Sequence, residues 1–236
     1  IHHPEDKDAT WNADYKMTCT WAVLKNKETG KMYAHINSHL DPGVEKARTE
    51  GMKVVVRKIN DLAFTYGETL PMVITADWNC DQYSDAYNVM VTNDEVKIAD
   101  GAYCLPEDEL VNWGPSYHDF GGATGLGNTP PIDIAFITAD NARVTHYEIL
   151  TQAVDAGDGA GEGCLSDHYG IYMTFTPGES VETIRPVPEP EQGGSTGLTA
   201  EFGTANVDGT KDDVYNKSRA AKVNVGLNGY AVSEKE

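Results

Sequence analysis

The chain has 236 residues, with 37 acids against 18 bases and a formal net charge of −19. That length suffices for one domain with a real core, or for a domain and a piece of another. Apolar residues make up 40% and charged residues 23%, a soluble globular balance, and the acidic excess argues against tight non-specific binding of nucleic acid, whose affinity comes mainly from basic contacts to phosphate.

No apolar run approaches the roughly 20 residues that cross a bilayer, and no charged-then-apolar leader is present. The chain opens with Ile1 rather than Met, and so reads as a fragment or a processed product. "MTCTWAVLK" at 17–25 is β-branched and aromatic and reads as a strand. After the turn "NKETG", "GKMYAHINS" at 30–38 reads as its hairpin partner. Asp41-Pro42-Gly43 then starts a helix, with Asp41 as cap and Pro42 suited to the first turn. Met52, Val55, Ile59, Leu62, Ala63 and Tyr66 keep the helical period, Lys53, Arg57, Lys58 and Asp61 fall on the other side, and Gly67 ends it. A short apolar strand follows at 71–76 and a second helix at about 82–92. Residues 101–130 read as a long loop rich in Gly, Pro and aromatics, a length that is often functional. Strands resume at 132–138, 142–150 and 169–176, the last after a Gly-rich segment at 157–163. The mixture predicts α/β layers around a mixed sheet.

Residues 177–196 change to Pro, Glu and Gly, a linker composition. The last 40 residues, 197–236, are too polar to bury a good core alone and read as an incomplete second domain or a disordered tail. Cys19, Cys80, Cys104 and Cys164 fit no zinc spacing. They read as buried thiols, with one disulfide, Cys80 to Cys104, as the alternative for a secreted protein.

Polar residues gather at strand ends: His39, Asp77, Asn79, Asp133, Asp167 and His168. Residues i and i+2 of a strand point the same way, so Asp77 and Asn79 would face one pocket with Trp78 directed elsewhere; the plainer reading is an ordinary turn after a strand. Asp167-His168 reads equally as a capping turn, His39 as a surface turn residue, and Asp41 as a helix cap rather than a ligand. Asp133 lies inside "PIDIAFI", where an acid is costly unless paired; beside a His it would orient the ring and stabilise its protonated form. Carboxylate and amide oxygens suit Mg²⁺ or Mn²⁺, and a metal, a His and an Asp together can drive attack of water on phosphorus.

The order of these motifs resembles the endonuclease/exonuclease/phosphatase superfamily, the deoxyribonuclease-I-like fold. The resemblance rests on "NSHLD" at 37–41 with Arg48 following, "ITADWN" at 74–79, "PIDIAFI" at 131–137 and "LSDHYGI" at 165–171, with "CTWAVL" at 19–24 similar to a strand of extracellular bacterial members. It covers about residues 1–176. It implies a portion of a four-layer α/β sandwich and metal-dependent hydrolysis of a phosphodiester or phosphomonoester. His168 would be the general base and Asp133 its orienting partner. Asp77 and Asn79 would position the phosphate and a metal or the attacking water, Asp167 would bind metal, and His39 would contact the phosphate. The implied cofactor is Mg²⁺ or Mn²⁺, and the implied substrates are a phosphorylated small molecule, a phospholipid head group or nucleic acid. Pro131 stands where the family usually has a basic residue. The family's opening strand with an Asn and a later metal-binding Glu do not occur, so the chain reads as an N-terminally truncated domain. "ANVDGTKDDVYNKSRAAKVN" at 205–224 resembles the opening of family-nine carbohydrate-binding modules. That implies a modular, secreted or cell-surface protein with carbohydrate as a partner of the tail. The rival reading is an inactive binding or scaffold fragment.

Overall fold

The computed structural model describes residues 11–122, 129–152, 154–155 and 162–183. The tail expected at 197–236, most of the linker and most of the Gly-rich segment 157–163 lie outside these described residues. The first sheet has five strands, β1 (Cys19–Lys25), β2 (Met32–His39), β3 (Met72–Asp77), β4 (Ile98–Asp100) and β5 (Asp133–Thr138), in the order β1-β2-β3-β5-β4. β1 and β2 form the expected hairpin. β2 and β3 are parallel, which needs a crossover, and α1 (Glu45–Tyr66) supplies it. β5 is antiparallel to both β3 and β4. A second sheet pairs β6 (Ala142–Leu150) with β9 (Gly170–Pro177), and β7 (Val154–Asp155) pairs with β8 (Glu162–Gly163).

Alternation along the strands divides the core in two. Ala34, Ile36, Met72, Ile74, Ala76, Ile134 and Phe136 point to one face of the first sheet, where Met52, Val55, Ile59 and Leu62 of α1 cover them. Each fully buried aliphatic or aromatic side chain of this kind contributes about 1.5–3 kcal/mol. The intervening residues Ala135 and Ile137 point the other way and pack with Ala99, Val144 and Tyr147, against Ile171, Met173 and Phe175 of β9. Helices, first sheet and second sheet are successive layers of the expected sandwich.

Two local expectations, both at helix ends, need correction. α1 starts at Glu45, not at Asp41–Gly43. Asp41 is buried, and its Oδ1 accepts the N–H groups of Gly43 and Val44 at 3.0 and 2.8 Å while Oδ2 accepts that of Tyr15 at 3.0 Å. The side chain thus closes the turn leading into the helix, and Val44 occupies the cap position with no side-chain bond. The second helix, α2, spans only Asp85–Val91, because Ser84 ends the preceding turn and caps it by accepting from Tyr87 N–H at 3.1 Å. The four cysteines are free thiols, Cys80 and Cys104 buried, Cys19 and Cys164 half-buried. Among the described residues no helix is long and apolar enough to cross a membrane.

Candidate active site

The site follows from strand register. β2 and β3 run in parallel to the same edge, and His39 pairs with Asp77 in their last rung. β5 starts at that edge in the opposite direction, so Asp133 pairs with Asp77. His39, Asp77 and Asp133 are therefore one cross-strand row, at the carboxyl ends of β2 and β3 where sheets of this kind place ligands. His168 reaches the row from the turn before β9. Its Nδ1 lies 2.7 Å from Asp133 Oδ2 and its Nε2 lies 3.8 Å from Asp77 Oδ2. Asp77 Oδ2 also lies 3.3 Å from His39 Nε2.

The strand rule does not carry Asn79. β3 ends at Asp77, and Asn79 has φ 50°, the left-handed region that Asn tolerates better than most residues. Its N–H donates to Asp77 Oδ1 at 2.9 Å and its Nδ2 donates to Leu40 O at 2.9 Å. A turn rather than a pleat therefore sets Asn79 beside Asp77. Trp78 does point away: it is fully buried, donates from Nε1 to Ile134 O at 2.9 Å and packs edge-on to Phe136.

The loop expected at 101–130 holds the two halves of the site together, through residues that the sequence did not single out. The buried Ser116 hydroxyl accepts the N–H groups of Ile132 and Asp133, both at 3.1 Å, and Ser116 O accepts Tyr169 N–H at 2.7 Å. Tyr117 bridges to His168 backbone to backbone, and its ring stands edge-on to the imidazole at 5.1 Å. Asp167 O accepts the N–H groups of His118 and Asp119. The aromatic run "SYHDF" at 116–120 inside a Gly-rich loop was the available signal.

Charges reinforce the geometry. Burial works to lower His168, but its hydrogen bond to Asp133 and the charges of Asp133, Asp77 and Asp167 outweigh it and hold the imidazole above its ordinary value. Asp77 is raised, first by burial and then by the neighbouring Asp133 carboxylate, against the bond from Asn79 and the two histidines. Asp77, Asp133 and His168 are a group of three whose ligand atoms lie within 4.8 Å of one another among the described residues. Asp167 stands outside that group, its Oδ1 accepting from Ser166 Oγ at 3.3 Å. Arg48 donates from Nη1 to Asp41 O and Pro42 O, both at 3.0 Å, bracing the turn after His39.

No family model and no curated protein matches the chain. Solved structures do. An endonuclease/exonuclease/phosphatase from Bacteroides vulgatus superposes with a TM-score of 0.59 at 29% identity, over 71% of this chain and 58% of that one. The mannosyl-6-phosphatase Bt3783 of Bacteroides thetaiotaomicron VPI-5482 gives 0.59 at 24% identity, over 70% and 59%. An endonuclease/exonuclease/phosphatase family protein of Bacteroides thetaiotaomicron gives 0.58 at 23%, over 70% and 58%. The chain thus spans 58–59% of the length of these structures. Its fold is that of the endonuclease/exonuclease/phosphatase superfamily, and the described residues form part of the deoxyribonuclease-I-like sandwich.

Proposed function

We propose that the chain carries the base-bearing side of a phosphoester hydrolase site. The observation that supports this reading is the Asp133–His168–Asp77 arrangement, with 2.7 Å from Asp133 to Nδ1 and 3.8 Å from Nε2 to Asp77. Asp133 holds the Nδ1 proton, so Nε2 presents its lone pair toward the strand ends. There it takes the proton of a water attacking phosphorus, and Asp133 stabilises the imidazolium that results. His39, exposed at the rim, donates to a phosphate oxygen when protonated.

Asp77 and Asn79 are the oxygen donors beside the base, and carboxylate and amide oxygens with room for water fit Mg²⁺ or Mn²⁺. Asp133 and His168 are bonded to each other, which leaves Asp77 as the available carboxylate of the three. Asp77, Asn79 Oδ1 and Asp167 would hold the ion, whose chemistry is to neutralise phosphate charge and acidify a bound water. The substrate is a small phosphoester. A phosphorylated sugar, as the name of the Bacteroides thetaiotaomicron phosphatase indicates for that protein, suits a charge of −19 better than long nucleic acid does; a phospholipid head group is the next in order. A secreted or cell-surface location, with carbohydrate bound through the tail, belongs to the same proposal and rests on the resemblance at 205–224.

The test is hydrolysis of p-nitrophenyl phosphate and bis(p-nitrophenyl) phosphate by the full chain with Mg²⁺ or Mn²⁺, with and without EDTA, against His168→Ala. Metal-dependent turnover that His168→Ala abolishes is expected. Absence of turnover, or turnover indifferent to EDTA or to His168→Ala, overturns the reading.

A further inference from the structure

His168 borders a cleft of about 350 Å³, whose walls include His118, Leu150, Gln152, Ser166 and Tyr169. No Lys, Arg, Asp or Glu is among its described lining residues. Apart from His168 at its border, a ligand group seated there meets no charged side chain among the described lining residues. The walls offer aliphatic surface from Leu150 and Leu165 and uncharged polar groups. One face of the His118 imidazole is taken by Tyr169, stacked on it at 3.9 Å and an interplanar angle of 25°. That combination of aliphatic surface and uncharged hydrogen-bonding groups suits a saturated, hydroxylated ring.

His118 is the best-fixed polar group of this wall. It is 5% exposed. Its backbone N–H is held by Asp167 O at 2.8 Å, and its Nδ1 accepts the N–H of Gly121 at 3.1 Å. A nitrogen that accepts from a backbone amide carries no proton, so the ring proton sits on Nε2. Nε2 has no partner among the described residues and is not among their buried unsatisfied atoms. It is a donor on a residue that lines the cleft, and its ring is fixed by the stack on Tyr169 and by the bond from Gly121.

We infer that His118 is a substrate-binding residue that donates from Nε2 to a hydroxyl of the alcohol part of the phosphoester, and that this part is an uncharged sugar or polyol. The inference rests on the phosphoester reading for the position of the phosphate, at His168 and Asp77, and adds where the rest of the molecule lies.

The test is titration of the full chain with a hexose 6-phosphate, the same hexose without phosphate, and inorganic phosphate, followed by the ¹⁵N-labelled imidazole signals of His118 and His168. The free protein shows His118 protonated at Nε2. Both hexose ligands move the His118 signal, and phosphate moves that of His168 alone. His118→Phe, which keeps the stack on Tyr169, weakens both hexose ligands about tenfold, the worth of one hydrogen bond, and leaves phosphate binding unchanged. An Nδ1-protonated His118, no hexose-dependent shift, or equal hexose affinity in His118→Phe overturns the assignment. Loss of phosphate binding with the hexose effects intact overturns the phosphoester reading and upholds the role of His118. If His118→Phe does not fold, the tautomer and the shifts in the unaltered chain decide.

Discussion

Asp133 and His168 lie 35 residues apart in sequence, yet their side chains meet at 2.7 Å. Their backbones share a hub: Ser116 accepts from Asp133 N–H with its hydroxyl and from Tyr169 N–H with its carbonyl. One buried serine thus fixes both the acid and the residue next to the imidazole, so the pair is set by the backbone before any ligand arrives.

Asp133→Asn keeps the size of the side chain and removes its charge. The raised pKa of His168 should fall back toward the ordinary value, since Asp133 is the largest favourable influence on it. As general base the imidazole must be neutral, so activity in the unaltered chain falls as pH drops through a value above 6.5. In the variant that acid limb moves to lower pH and the plateau falls about 10²- to 10⁴-fold. Linkage gives an independent sign: a histidine raised in the fold contributes stability that is full below its unfolded pKa and is lost as pH rises through its folded pKa. The variant should therefore lose more stability at pH 5 than at pH 9, read from urea midpoints. A variant with an unmoved pH profile removes the pair from the mechanism.

Much of this was legible in the sequence where a period or a local rule applied. The apolar runs at 71–76 and 132–138 marked two strands, and the pleat then sends Met72, Ile74, Ala76, Ile134 and Phe136 to one core. The 3.6-residue period of α1 named its buried face through Met52, Val55, Ile59, Leu62 and Ala63, while Tyr66 at its end is exposed. Register then brought His39, Asp77 and Asp133 into one row, a relation that no single strand displays. The start of α1 was misplaced because a capping residue and an Asx turn use the same Asp, and Asp41 spends its oxygens on the turn. Ser116 and His118 were missed because they sit in a loop without period. Their roles arise only when residues 116–119 pair with 167–169. For Asn79 the turn reading holds and the pleat does not, because the strand has already ended at Asp77.

Asp77→Asn should stabilise the unliganded protein. An aspartate whose pKa is raised in the fold favours its protonated form there. Its contribution to stability is full below the unfolded pKa and lost as pH rises through the folded one. At neutral pH the ionised carboxylate is a burden, and Asn removes it while its side-chain oxygen still accepts from Asn79 N–H. In EDTA the melting temperature should rise by a few degrees. With Mg²⁺ added the order should reverse, because an ion bound only to the native state stabilises the unaltered chain by mass action. Calorimetry in both buffers checks this; a variant less stable in EDTA contradicts the assigned burden.

Gly101→Ala should separate the layers. It sits just after β4, and an added Cβ would lie 2.5 Å from Met173 Sδ, 3.0 Å from Ala135 O and 3.3 Å from Tyr147 Cδ2. The carbonyl belongs to β5 and cannot yield without moving the strand that carries Asp133. Overpacking of this kind costs about 1–3 kcal/mol. The urea midpoint should fall with the slope unchanged, and the Asp133–His168 contact should lengthen, seen as a lower His168 pKa by NMR. A neutral substitution would show that Met173 alone gives way.

Cys80 tests whether the segment after Asn79 stays closed. It is 7% exposed, and burial, acting against the hydrogen bond with Ser84, pushes its thiol up to about 11. Since the thiolate is the nucleophile, Cys80 is protected twice, by access and by protonation. Cys164 is half-buried and borders the cleft beside His168. At pH 8, iodoacetamide should alkylate Cys164 well before Cys80 in the native chain. A ligand seated in the cleft should slow labelling of Cys164 and leave Cys80 unaffected. Labelling of Cys80 should appear only in step with global unfolding as urea is added, followed by peptide mass. If Cys80 reacts at the rate of Cys164 without urea, the "DWNC" turn opens in the native state, and Asp77 and Asn79 are not the rigid pair that the strand end displays.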